Sequence, residues 1–538
     1  MASKHVLIPA LAAGVTMAGC ATLPKSGSPE PMRSANELQL AKTVADTSID
    51  ERMWPEDHWW TAFGDPQLDR LEAEALAANP TLAIAKARLD RAVALAGTAR
   101  SALSPDVAAN AKSTRERFSE HDVIPPPYAG STQTASRMAL DFSYELDFWG
   151  KNRAALAAAL DRAHAAKVDA FAARLLIATA VARTYVQLAR VEDHLEIARD
   201  TLAQRERIYE LTRQRVDAGL DSRVELKQAE GEVPAARQNV AALEESAQTA
   251  RNQLAALLGA GPDRGLTLER PQLRLASRPG APAATERAPQ QRAAVGDEPL
   301  PQQPDDAADQ RLSQLDRAGG RRAPQQPAAV GGDELASSSA GELTLPSRLP
   351  ADLLGRRPDV LAARLRVQAA AHDIDVARAR FYPDIDLLGF LGFQSIGLSQ
   401  LADAGSRTAG VGPALHLPIF DGGRLRSDLA ATHADYDAAV AQYNATLIEA
   451  LRELANELAA FRSVAAQRGE QRLAMAAARE AYDLAMNRYR DGIGNYLTVL
   501  SAESQVLKQR HLAADLRARE FDNRIELART LGGGFEEQ

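Results

Sequence analysis

The sequence predicts a mainly helical, internally duplicated chain that also carries membrane-crossing β-strands. Three observations lead there. First, residues 137–153, RMALDFSYELDFWGKNR, begin with an unbroken alternation: Met138, Leu140, Phe142, Tyr144, Leu146 and Phe148 against Ala139, Asp141, Ser143, Glu145 and Asp147. A period of two marks a strand with one apolar and one wet face, and about 9–11 residues let a tilted strand cross a bilayer. Second, the pattern switches to helical at Gly150 and meets no stop signal until Gly219, far beyond the ordinary helix of about 11–12 residues. Third, the chain repeats itself. Asn79-Pro80 to Pro105-Asp106 matches Arg357-Pro358 to Pro383-Asp384, 278 positions on, and Ala218-Gly219 to Ala229-Glu230 matches Asp491-Gly492 to Ala502-Glu503, 273 positions on.

Composition narrows the class. The chain has 538 residues, a formal charge of −8, 5 % aromatics and one cysteine. Mild acidity argues against nucleic acid, whose phosphates need a concentrated basic face. A single cysteine excludes a disulfide framework and a multi-cysteine zinc site. Nothing beyond the first twenty residues approaches 18 consecutive apolar residues, so no transmembrane helix follows.

The N-terminus reads as a targeting segment. Lys4 and His5 precede an apolar stretch, Val6 to Met17. It ends in Met17-Ala18-Gly19-Cys20, which resembles the lipobox of bacterial lipoproteins. The resemblance implies cleavage before Cys20, with a diacylglycerol and an N-acyl chain on Cys20 as stable anchors. Ala21 rather than Asp implies sorting to an outer membrane. Ala21 to Ser48, polar and Pro/Ser-bearing, reads as a tether.

Along the chain, WPEDHWWTAFGDP holds three of the four tryptophans. Asn79-Pro80 starts a helix that Pro105 stops. Asp106 to Thr114 alternates weakly, and 116–134 reads as a polar loop. The long helix carries a heptad run, Ile177, Val181, Thr184, Leu188, Val191 and Leu195. Its partner from Ser222 to Leu258 contains Pro234, where a kink is expected. In the second copy, Ile385 to Phe393 and Val411 to Ile419 alternate, and Leu447, Leu451, Leu454, Leu458, Phe461 and Ala465 repeat the heptad. Two short helices stacked end to end would match one long helix of ~100 Å. Four strands cannot close a membrane barrel, for which about eight is the usual minimum, and open edges in lipid cost several kcal/mol per unpaired group. Oligomerisation is therefore required. Ala276 to Ser339 is low in complexity, repeats Arg-Ala-Pro-Gln-Gln at 287 and 322, and reads as disordered. The organisation expected is 1–19 signal peptide, 20–50 lipidated tether, 51–265 first repeat, 266–349 linker with the insert, 350–532 second repeat and 533–538 tail.

Trp59-Trp60, Phe63-Gly64-Asp65-Pro66, Leu68 and Asn79-Pro80 resemble the start of outer-membrane efflux proteins of the NodT/OprM type, relatives of TolC. Leu353 to Val360 (LLGRRPDV), Leu417 to Gly423 (LPIFDGG), and Arg488 to Gly492 followed by Tyr496 to Leu500 are similar to further motifs of that family, in the family's order. The resemblance implies a homotrimer with a twelve-stranded barrel continuous with a periplasmic helical tunnel. It implies the passive exit duct of a tripartite pump for drugs or other small toxic solutes, with a periplasmic adaptor (membrane fusion protein) and an inner-membrane RND-type transporter as partners. A duct for type I protein secretion shares the fold. A surface-anchored coiled-coil interaction protein is the alternative of another class, but it leaves the apolar strand faces and the duplication unexplained.

No catalytic constellation is present. Nine histidines are scattered, none in HExxH, and no Gly-rich phosphate loop follows a strand; no enzyme, metal or soluble cofactor is expected. The acids Asp141, Glu145, Asp147, Asp384 and Asp386 are expected on the wet wall of the lumen, where an acidic field favours cations. The long helices end at Gly219 and Gly492, suited to the left-handed conformation. There Asp217, Asp221 and Asp491 are expected to cluster at a narrow end held shut by Arg215, Arg490 or counter-ions. The resemblance implies that this end meets the adaptor. Gly219, Leu220, Ser222, Val224, Asp491, Gly492, Asn495, Tyr496, Leu497 and Val499 are the expected docking residues.

Overall fold

The computed structural model describes residues 31–34, 38, 54–121, 123–274 and 356–536. The signal segment, Cys20, the insert at 276–339 and Leu353 to Gly355 lie outside the described residues.

A 3-10 turn, Trp59–Phe63, opens the first repeat. Its rings pack edge-on in a chain: Trp59 on Trp60 with centroids 5.6 Å apart, and Phe63 on Phe521 at 5.3 Å. Helix α1, Pro66–Ala78, follows. The GDP motif explains its start. Asp65 accepts the backbone N–H of Gln67 (2.9 Å) as a cap. The same carboxylate accepts Tyr185 Oη–H (2.7 Å) and the Gln272 N–H (2.6 Å), so one aspartate starts a helix and joins three segments. Helix α2, Pro80–Ser101, is capped by Asn79, which accepts from Thr81 N–H (2.8 Å) and donates to the Leu257 carbonyl (2.7 Å).

Strands β1 (Asp106–Arg117) and β2 (Thr132–Glu145) come next, then helix α3 (Lys151–Asp217) and helix α4 (Arg223–Leu257), which continues through Pro234. A single turn, α5 (Asp263–Leu266), ends the repeat. The second repeat runs α6 (Pro358–Ala379), β3 (Asp384–Ile396), β4 (Arg407–His416), α7 (Arg424–Arg490) and α8 (Tyr496–Thr530). The duplication is metrically close. Each repeat has a 22-residue and a 35-residue helix beside one of 67 residues, the last ~100 Å long at 1.5 Å per residue.

The strands form one antiparallel sheet in the order β1-β2-β3-β4. Leu140 stands between Ala109 and Leu391, and Asp141 between Ala108 and Phe390. One face therefore carries Met138, Leu140, Phe142, Leu391 and Val411, and the other carries Arg137, Asp141, Asn110 and Asp386. β2 starts at Thr132, taking in the last three residues of the segment read as a loop, and ends at Glu145. Leu146 adds one backbone bond to Ile385 (2.8 Å), after which Phe148 and Trp149 leave the sheet. Trp149 stacks on Tyr382 at 4.7 Å, and Phe148, Ile419 and Phe420 stay exposed at the two strand–helix junctions, the position of interfacial aromatics in membrane barrels.

The first heptad run is buried along its whole length. The second is buried from Leu447 to Leu458, after which burial moves to Val464, so Ala465 is a correction: it faces outward. A 67-residue helix with 3.6 residues per turn drifts from a strict seven-residue repeat.

Candidate functional site

The turn between α3 and α4 and the turn between α7 and α8 stand together. Tyr489 and Tyr496 share a buried cluster with Ile208, Ala229, Met486 and Val499. Gly219 (φ +73°) and Gly492 (φ +79°) both take the left-handed conformation. There a side chain is disfavoured by the backbone alone, since a Cβ at either would meet no atom within 4 Å.

Of the five charged tip residues, the structure brings two together. Asp221 accepts Arg215 Nε–H (2.9 Å) and Nη2–H (3.2 Å) in a two-pronged pair, and both side chains are one-tenth exposed. Tyr489 Oη–H donates to the same carboxylate (2.8 Å), Arg215 Nη1–H donates to the Tyr489 carbonyl (3.1 Å), and the guanidinium lies 4.5 Å over the Tyr489 ring. Thr212 Oγ1 is 3.2 Å from Tyr489 Oη. Burial alone would raise the Asp221 pKa, but Arg215 and Tyr489 outweigh it and hold the carboxyl below its ordinary 3.8. The hydrogen bond to Asp221 raises Arg215 further. This knot fastens the end of α3 to the end of α7.

The single chain corrects two of the expected docking contacts, Tyr496 and Val499. Arg490, Asp217 and Asp491 make no side-chain hydrogen bond or ion pair among the described residues, because successive helix positions point in different directions. Tyr496 (1 % exposed) and Val499 (0 %) belong to the core beneath the turns rather than to a docking surface. Ser222 and Asn495 cap helices: Ser222 shares a capping box with Glu225, and Asn495 accepts from Thr498 N–H (2.9 Å). Leu220, Val224 and Leu497 are exposed as expected. Tyr489 was missed as a partner, although it stands in the motif Arg488-Tyr489-Arg490.

At the base of the sheet the expected lumen acids divide. Asp147 lies past β2 and caps α3, accepting from Asn152 N–H (3.2 Å) and Arg153 N–H (2.9 Å). Asp421 does the same for α7, accepting from Gly423 N–H (2.9 Å) and Leu425 N–H (2.8 Å). Lys151 Nζ pairs with Glu145 (2.6 Å) and Asp384 (3.1 Å). Asp141 pairs with Arg137 (2.5 Å) and accepts Asn110 Nδ2–H (2.8 Å). Asp386 keeps neither a hydrogen bond nor an ion pair among the described residues.

Known proteins match this architecture. The outer membrane efflux protein family matches residues 71–260 and 349–533. The fusaric acid resistance protein FusA of Burkholderia cepacia is 35 % identical over 431 residues, covering 79 % of this chain and 68 % of that protein. The multidrug resistance outer membrane protein MdtP of Escherichia coli K12 is 27 % identical over 543 residues, covering 99 % and 97 %. The crystal structure of the outer membrane protein VceC from Vibrio cholerae superposes with a TM-score of 0.74 at 33 % identity, covering 90 % of this chain and all of that one. The fold is that of TolC-like outer-membrane channels, and the chain belongs to the outer membrane efflux protein family.

Proposed function

We infer that three copies of this chain close a twelve-stranded barrel and act as the passive exit duct of a tripartite efflux pump. A periplasmic adaptor and an inner-membrane RND-type transporter would complete the pump, with acyl chains on Cys20 anchoring the duct in the outer membrane. The observation that carries this is the sheet: four strands, one apolar face, one polar face, and unpaired edges at β1 and β4. In lipid, those edges require a second strand; pairing β4 of one copy with β1 of the next supplies it and encloses the polar face. The names of FusA and MdtP support small toxic solutes as cargo over a secreted protein. The Arg215–Asp221–Tyr489 knot is the gate fastening, and Leu220, Val224 and Leu497, around Gly219 and Gly492, are the adaptor contacts. Native mass spectrometry of detergent-extracted protein tests the assembly. Three chains are expected, and a stable monomer that still conducts ions in bilayers would overturn it.

A further inference from the structure

The polar face of the sheet has an apolar break. Leu388 and Phe390 are the large apolar side chains in its middle, 45 % and 39 % exposed, and Ile396 lies at the outer end of β3. Their partners across β4 are Gly412 and Gly410. The Phe390 ring leans over Gly410, where a Cβ would come within 2.7 Å of Cε1 and 2.8 Å of Cζ. Arg137, tied to Asp141, covers the ring from the other side with its guanidinium 5.6 Å from the centroid. At Gly412 a Cβ would meet nothing within 4 Å, so beside Leu388 the wall is left open as a notch. One step along the same face of β3, about 7 Å away, stands Asp386. Its strand neighbour Glu145 and the nearby Asp384 both pair with Lys151, and Asp386 is left without a counter-charge.

An apolar notch flanked by an uncompensated carboxylate suits one chemical class. We propose that Leu388, Phe390, Gly412 and Asp386 form a contact site for organic cations with an aromatic or bulky apolar body, so that the barrel wall itself discriminates among solutes in transit. The apolar body seats on Leu388, on the Gly412 floor and against the edge of Phe390, while the cation lies toward Asp386. Aromatic and apolar contacts give the body its affinity, and the carboxylate adds the sign preference. The proposal rests on the reading that this face lines the pore.

Single-channel current of the full-length protein in planar bilayers tests it, with tetraphenylphosphonium added on the side of the β1–β2 and β3–β4 loops. The wild type is expected to show concentration-dependent block. Phe390→Ala, Asp386→Asn and Gly412→Leu, the last filling the notch, each raise the half-blocking concentration by about tenfold, the scale of one such contact. Leu391→Ala, on the opposite face, leaves it unchanged. Each variant must conduct like the wild type without the probe. Gly412→Leu and Asp386→Asn keep the test alive where Phe390→Ala disturbs the sheet. In parallel, Ser143→Cys, on the same face opposite Leu388, is treated with a charged methanethiosulfonate. No change in current there would refute the pore reading itself. If Ser143→Cys responds but block is absent, or is equal in wild type and all three variants, the contact site alone is wrong.

Discussion

Asp221→Ala tests the proposed gate directly. In the wild type this carboxylate accepts two guanidinium bonds and one phenol bond while only one-tenth exposed. Its removal leaves Arg215 partly buried beside Tyr489 with no anionic partner. Breaking one side of such a pair costs about 3 kcal/mol, the lower end of the range for buried pairs, because some water reaches it. If the knot exists only in the closed tip, that cost shifts the closed–open equilibrium by about 150-fold. Tyr489→Phe removes the charge-assisted bond to Asp221, worth about 1.5 kcal/mol or roughly tenfold, together with the weaker contact to Thr212 Oγ1. The assay is open probability in planar bilayers, with uptake of a large antibiotic by cells as a second readout. Expected is a graded series, wild type below Tyr489→Phe below Asp221→Ala. Acid acts by the same route. The Asp221 pKa is depressed below 3.8, so its contribution is complete above that value and is lost as pH falls through the lowered one. Open probability is therefore expected to be flat from pH 8 to 5 and to climb only below about 4. A folded Asp221→Ala trimer whose open probability equals that of the wild type would refute the gate.

Three further outcomes are expected. Gly219→Val or Gly492→Val forces a β-branched residue to positive φ at a cost of about 1–2 kcal/mol; trimers should still reach the membrane while drug susceptibility rises, and unchanged susceptibility would remove these turns from the working tip. Glu72 is fully buried with both oxygens unbonded, and burial, followed by the Asp69 charge, pushes its pKa up to about 9. The folded chain thus holds a proton that the unfolded chain loses above 4.5, and this contribution to stability declines as pH rises from there toward 9. Relative to Glu72→Gln, the wild type should lose about 2–3 kcal/mol between pH 5 and 7, measured by thermal melting; parallel profiles would show that Glu72 is not protonated in the fold. Finally, mass spectrometry should find acyl chains on Cys20, and Cys20→Ser should lack them while retaining some membrane insertion through the barrel.

Legibility followed the range of the interactions. The long helices were readable almost to the residue because Gly150 and Gly219 punctuate an uninterrupted helical pattern. β2 and β3 announce themselves by large apolar side chains, whereas β1 offers only Val107, Ala109, Ala111 and Ser113 on its apolar face, too small to stand out against Ala108, Asn110 and Lys112. At the tip, Gly219 and Gly492 were legible because their conformation is local. The partnership of Tyr489 with Asp221 was not, because it joins residues 268 positions apart. Tyr496 and Val499 look like surface contacts from their place just after a turn, and only packing against Ile208 and Met486 turns them inward.

The capped starts of α3 and α7 set a mechanical limit. Asp147, two residues past β2, and Asp421, five past β4, cap the first turns of these helices, so each helix starts a short way beyond its strand. Each helix is then a lever of ~100 Å hinged at a stiff elbow. A displacement of about 5 Å at the far end turns the elbow by only about 3° over that length. Small bond-angle and torsional adjustments spread over several residues absorb such a rotation. In the proposed duct, the far end would thus swing through an aperture-sized arc while the strands in the bilayer stay almost still, and lipid packing around them would not be disturbed by each opening.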